Sequence, residues 1–264
     1  MDIQLIDTGF FHADGGAMFG AIPKTAWSRR YPSDEQNGCI LAMRTLLVRD
    51  GNGKIVLVDN GAGNKHLKQL SYYNFFDLVD LKEELQRRGV ACEEVTDIIL
   101  THLHFDHCGY TTQKEEQPDG KPLFKMAFPN ATHWVSRTQW ENFLHPNALE
   151  ADSYFIENMQ ATYDSGKLRL IESDTNLCPG IDLRLFDGHT PGQIAPYITT
   201  PERTYVFAGD VIPLAASVSP LWISAYDTCP VVSYNEKVRM LEEATLKKQA
   251  IIYCHDAYTQ SVSY

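Results

Sequence analysis

Four metal-capable side chains fall within six residues, at His102, His104, Asp106 and His107, directly after the apolar run Ile98-Ile99-Leu100. A short apolar run of this kind reads as a buried β-strand. Histidines at alternate positions of an extended segment project to the same side, so His102 and His104 face one way. Asp106 and His107 then follow in a turn into a helix. Two neighbouring cations can be served by this layout, one by the first pair and one by the second.

The same pattern recurs downstream. Residues 181–186 read as a strand, followed by the turn-rich Asp187-Gly188-His189-Thr190-Pro191-Gly192. Residues 204–208 read as a strand ending at Gly209-Asp210, and residues 250–253 as one ending at Cys254-His255-Asp256. Asp59 closes a strand over residues 54–58, which the turn Asp50-Gly51-Asn52-Gly53 joins to a strand over residues 39–48. Further strands are expected at 3–8, 97–100, 132–135, 168–171 and 195–199. Helices are expected at 78–88, 136–143, 154–163 and 235–248, with loops at 14–32 and 113–122. Groups placed at strand ends can be shaped by loops without harm to the core. Element order, though no exact repeat, is similar in the two halves.

At 264 residues with 44% hydrophobic content, the chain can bury a large core. Its 23 basic and 34 acidic residues give a net charge of −11, which disfavours nucleic acid and anionic membrane surfaces. No apolar run reaches the length of a membrane span. Residues 1–7 lack the basic flank and apolar length of an export signal. The expectation is a cytoplasmic protein whose six scattered cysteines are reduced thiols, Cys108 and Cys254 being small buried side chains.

These motifs resemble those of the metallo-β-lactamase superfamily of metal-dependent hydrolases. Its H-x-H-x-D-H motif stands as His102-Leu103-His104-Phe105-Asp106-His107, its Gly-His-Thr-Pro-Gly motif as residues 188–192, and its Gly-Asp motif as Gly209-Asp210. The last histidine stands as His255 and the early strand-end acid as Asp59. The resemblance implies one α/β domain over residues 1–264, a four-layer αββα sandwich of two mixed β-sheets. It implies that His102, His104 and His189 hold one divalent ion, that Asp106, His107 and His255 hold a second, and that Asp210 bridges them. Asp59 would buttress the histidine-bearing loop. Imidazole and carboxylate donors suit zinc, with iron or manganese as alternatives. Two such ions would supply Lewis acidity and an activated water toward a carbonyl or phosphorus centre, with Asp106 and Asp210 as the carboxylates of the catalytic site. Of the remaining histidines, His12, His66, His133 and His145 read as surface or loop residues.

The Asp210 pattern, with no cysteine at that position, points away from β-lactams. It favours a small-molecule substrate, a carboxylic ester or lactone. A glyoxalase II-like thioesterase, an organophosphate hydrolase, a mono-iron dioxygenase of the same fold and a non-catalytic metal-binding sensor remain as alternatives. Quorum-quenching lactonases carry a tyrosine three residues beyond the bridging Asp, where this chain has Pro213. Met18, Phe19, Trp27, Trp222 and Tyr226 are the candidate pocket residues, since they lie in segments expected to flank the metal edge. A homodimer interface is the other use of such aromatics.

Overall fold

The computed structural model describes residues 1–118 and 120–264. Asp119, inside the segment read as a loop over 113–122, lies outside the described residues.

The N-terminal part contains β1 (Asp2–Asp14), α1 (Gly15–Phe19), α2 (Lys24–Trp27), β2 (Gly38–Arg49), β3 (Ile55–Val58), α3 (Leu81–Arg87) and β4 (Asp97–Ile99). Then come α4 (Phe105–Cys108), β5 (Thr112–Glu116), β6 (Pro122–Met126), β7 (Thr132–Ser136), α5 (Arg137–Leu144), α6 (Gln160–Asp164) and β8 (Leu168–Ile171). The C-terminal part contains β9 (Thr175–Cys178), β10 (Ile181–Phe186), β11 (Gln193–Thr199), β12 (Thr204–Phe207), α7 (Pro230–Lys247), β13 (Ala250–Ile252) and β14 (Ser261–Ser263).

Two six-stranded sheets result, ordered β1-β2-β3-β4-β7-β8 and β14-β13-β12-β11-β10-β9. Both are mixed. In the first, β1, β2 and β3 pair antiparallel, and β3, β4, β7 and β8 pair parallel. In the second, only β12 and β13 pair parallel.

Side chains alternate across each strand, and this sorts the core into layers. Leu46, Val58 and Ile99 of the first sheet pack against Ile181, Ile194, Ile198, Phe207 and Ile252 of the second. Their neighbours Leu47, Leu57 and Ile98 face outward onto Leu81 and Leu85 of α3 and Trp140 and Phe143 of α5. On the far side, Tyr197, Val206 and Ile251 face Met240 and Ala244 of α7. The architecture is an αββα sandwich. No helix among the described residues is long and apolar enough to cross a membrane.

Several boundaries depart from the sequence expectation, each for a local reason. The 14–32 segment holds two short helices, because Asp14 caps α1 by accepting from Gly16 N (2.7 Å) and Ala17 N (3.1 Å). Helix α3 starts at Leu81 rather than residue 78, since Asp80 caps it through Lys82 N and Glu83 N. In the segment expected as a loop over 113–122, β5 and β6 pair antiparallel, Thr112 opposite Met126 and Glu116 opposite Pro122. The helix expected over 154–163 is a short 3-10 turn (Ile156–Asn158) followed by α6. Helix α7 begins five residues earlier than expected, at Pro230, whose fixed φ suits the first helical position. His133 is fully buried in β7, on the face opposite Trp134, not at the surface, and burial pushes its imidazole down to about 4. His12 likewise lies within β1.

Candidate metal centre

Strands β3, β4, β12 and β13 end at one edge of the sandwich, and the β10–β11 turn joins them there. Asp59 follows β3, and the 101–107 motif follows β4. His189 follows β10, Asp210 follows β12, and His255 follows β13. Gly209, before Asp210, has φ +52, and a Cβ there would come within 2.8 Å of Gln193 Nε2. Glycine takes that backbone without strain and leaves Gln193 its place.

The donor atoms fall into sets in which all lie within 4.8 Å of one another: His102 with His104 and His189, His102 with His107 and Asp210, and Asp106 with His107 and His255. Asp210 lies between them. Its Oδ2 is 3.4 Å from His189 Nε2, and its Oδ1 is 3.1 Å from His255 Nε2 and 3.5 Å from His107 Nε2.

The other nitrogen of each ring has a partner outside the cluster. His107 Nδ1 donates to Asp59 Oδ2 (2.8 Å), and His255 Nδ1 donates to the Ala42 carbonyl (2.8 Å). His189 Nδ1 donates to Asp227 Oδ1 (3.1 Å), and His104 Nε2 donates to Glu150 Oε2 (3.0 Å). Thr101 Oγ1 gives its own proton to Asp59 Oδ2 (2.9 Å), so it accepts from His102 Nδ1 (3.0 Å). These partners fix the tautomers.

Five ring nitrogens are thereby left with lone pairs turned inward. His104 Nδ1 and His189 Nε2 face each other at 3.3 Å, and His107 Nε2 and His255 Nε2 at 3.2 Å. His102 Nε2 is buried with no hydrogen-bond partner among the described residues. Apposed lone pairs and an orphaned buried nitrogen are costly unless a cation lies among them. The residues therefore fit a divalent metal pair by the chemistry of their donors.

The charge balance of the bare protein agrees. Burial drives His102 well below the ordinary imidazole value, helped by His107 and His104. Burial also works against charge on His107, but Asp106, Asp210 and Asp59 outweigh it and raise this imidazole. Asp210 is held well below the usual carboxylate range, because His255, His107 and His189 outweigh its own burial. A site that keeps a carboxylate ionised and gathers positive charge around it can exchange protons for a cation.

A pocket opens onto this cluster. Of the candidate pocket residues, Met18 and Tyr226 line it, together with Phe11, Tyr73, Phe105, Leu149 and Pro213. Phe19, Trp27 and Trp222 do not, which corrects the expectation for those three. Phe19 stacks on Trp27 (5.0 Å between centroids) and meets Trp222 edge-on (5.8 Å), so they form an apolar wall behind the pocket. This wall packs as one cluster, and the Ala17 carbonyl binds it to the opposite loop by accepting from Ala225 N (2.8 Å). Sequence reading also missed Glu150, Asp227 and the Ala42 carbonyl. None belongs to a motif, and each lies at least 38 residues from the histidine it holds.

Comparison with known proteins bears on this geometry. A solved structure of a probable metal-dependent hydrolase from Staphylococcus aureus superposes with a TM-score of 0.91 at 30% identity, over 100% of this chain and 92% of that one. The metallo-beta-lactamase superfamily model matches residues 44–110, which hold Asp59 and the histidine motif. This chain belongs to the metallo-beta-lactamase superfamily. Among curated relatives, the N-acyl homoserine lactonase AiiA of Bacillus thuringiensis subsp. kurstaki is 26% identical over 174 residues, or 64% of this chain. The chain spans 58% of that relative's length. AidC, a dizinc quorum-quenching lactonase solved with its product N-hexanoyl-L-homoserine, shares the fold with a TM-score of 0.76 at 19% identity, covering 98% of this chain and 88% of that one. In this metallo-beta-lactamase superfamily member, all seven motif residues gather at the sandwich edge where the sheets meet.

Proposed function

We propose that the chain is a binuclear metal-dependent hydrolase that opens a lactone or cleaves a small carboxylic ester. The observation that carries this reading is the gathering of five inward ring nitrogens at one edge, with His107, His189 and His255 each within 3.5 Å of an Asp210 oxygen. His102, His104 and His189 are assigned to one ion, Asp106, His107 and His255 to the other, and Asp210 to both. Zinc suits these donors, and the dizinc lactonase AidC of the same fold supports it. When bound, the pair of ions supplies Lewis acidity and an activated water.

The chain's own residues do the rest. Asp59, Asp227 and Glu150 orient imidazoles, so little reorganisation remains at the moment of reaction. Asp106 borders the pocket and is the carboxylate assigned to receive and pass on a proton. Phe11, Met18, Tyr73, Phe105 and Tyr226 give the pocket an apolar wall, which suits an ester with an uncharged organic substituent. The N-acyl homoserine lactonase relatives put lactones first among the candidates. Pro213 also borders the pocket, so the carbonyl-polarising tyrosine of quorum-quenching lactonases has no counterpart at that position.

The test is elemental analysis of protein purified without added metal or chelator, paired with a panel of lactones, thioesters, phosphotriesters and a β-lactam. Two ions per chain with turnover of lactones supports the reading. A single iron with no hydrolysis overturns it.

A further inference from the structure

We propose that Glu150 is a positioning residue for His104, holding its imidazole in the Nε2–H form so that Nδ1 points at His189. The proposal rests on the reading of His104 as a metal donor. Glu150 is 4% exposed, and its carboxylate takes four hydrogen bonds, two on each oxygen. Oε1 accepts from Asn142 Nδ2 (2.8 Å) and Asn147 Nδ2 (2.6 Å). Oε2 accepts from the Tyr154 hydroxyl (2.9 Å) and from His104 Nε2 (3.0 Å). No lysine or arginine is among these partners. The buried charge is met by donors alone, and His104 is the one donor that belongs to the metal cluster.

Only an acceptor at both oxygens satisfies this arrangement. A glutamine has one acceptor oxygen and one amino group. With its oxygen toward Asn142 and Asn147, its amino group faces His104 Nε2 and stabilises the Nδ1–H tautomer. That hydrogen would point at His189 Nε2, 3.3 Å away, where a cation is expected. With the glutamine reversed, its amino group opposes two asparagine amino groups in a dry site, which costs more.

The same network reaches the other side of the cluster. Thr190, next to His189, lies 3.0 Å from the Tyr154 hydroxyl and accepts from Gln139 Nε2 at 3.0 Å. Glu150 also lies between two pocket-lining residues, Leu149 and Ser153. The segment that borders the pocket is thus the one that sets the His104 ring.

The experiment compares the full-length protein with Glu150→Gln in two readouts. The first is the tautomer of His104, read from ring ¹⁵N shifts of histidine-labelled, chelator-treated protein. The second is zinc affinity, read by competition with a chromophoric chelator. The wild type is expected in the Nε2–H form. E150Q is expected to shift to Nδ1–H and to bind the tighter or weaker of its two zinc ions about 10–100-fold less well. An unchanged tautomer and unchanged affinity in a folded E150Q overturn the proposal. Should E150Q fail to fold, Glu150→Asp keeps the charge, withdraws it by one methylene and is read in the same way. His104→Ala is the control. If H104A still binds two zinc ions at wild-type affinity, the donor reading fails. If H104A loses an ion while E150Q keeps the wild-type tautomer and zinc affinity, the donor reading stands and positioning by Glu150 is overturned.

Discussion

The two halves of the candidate centre are built from different material. His107 and His255 are held by the sandwich itself. Asp59 follows β3 and receives Thr101 N (2.7 Å) as well as His107, while Ala42 of β2 accepts from the His255 ring and donates to the His255 carbonyl (2.9 Å). His104 and His189 are held by Glu150 and Asp227, two carboxylates carried on loops that also line the pocket. One half is fixed by elements whose positions the core decides. In the other, ligand orientation and pocket shape share the same segments. A pocket can therefore diversify at the His104–His189 side only within what Glu150 and Asp227 allow.

The residue common to both halves offers the largest effect. Asp210→Ala should cut hydrolysis by about 10³-fold or more, roughly 4 kcal/mol of transition-state stabilisation, and lower metal content below two per chain. Two ions at normal affinity in this variant would remove Asp210 from its place between the halves.

Next comes the contrast between the supports. Asp59→Asn should destabilise the fold by about 3 kcal/mol, measured by urea unfolding of metal-free protein, because a buried carboxylate serving Thr101 and His107 is lost. Asp227→Asn should leave that unfolding curve nearly in place and instead weaken zinc binding about 10–100-fold. Equal effects of the two variants on stability would erase the distinction between core-held and loop-held halves.

His133 separates scaffold from centre. Its imidazole stays neutral in the fold down to about 4, whereas in the unfolded chain it takes a proton near 6.5. The unfolded state therefore binds more protons between these values, and stability falls as pH drops from 6.5 toward 4, by about 3 kcal/mol in total. His133→Leu should flatten this acid limb in chelator-treated protein. An acid limb as steep as the wild type's would assign it to other groups.

The smallest effect belongs to Leu149, 83% exposed at the pocket mouth. Leu149→Ser should not move the melting temperature, and it should raise KM about 5-fold for a lactone with an apolar substituent, under 1 kcal/mol of lost burial per ligand. An unchanged KM would place the substituent elsewhere along the pocket.

Much of the fold was legible because its strands are periodic and punctuated. The run 54–58 with its Asp-Gly-Asn-Gly turn, and the run 97–100 before the histidine motif, read correctly to within about a residue. The β5–β6 pair was hidden because its strands are mostly exposed and carry little apolar alternation. β14, exposed throughout, gave no burial pattern either. The 154–163 helix is shorter than its apolar residues suggest, because Tyr154 and Phe155 stay extended, Tyr154 packing on His104 and Phe143, and only 156–158 and 160–164 turn.

The sequence by itself determined which side chains are candidate donors and their order along the chain, since cation chemistry demands particular side chains and strand ends demand particular spacings. Tertiary structure alone decided which nitrogen of each ring turns inward, because that depends on partners such as Glu150, Asp227 and the Ala42 carbonyl, which are remote in sequence and carry no motif. It also decided which of the candidate side chains line the pocket. Met18 and Tyr226 reach the pocket while Phe19, Trp27 and Trp222 pack behind it, a matter of how one wall stacks rather than of residue type.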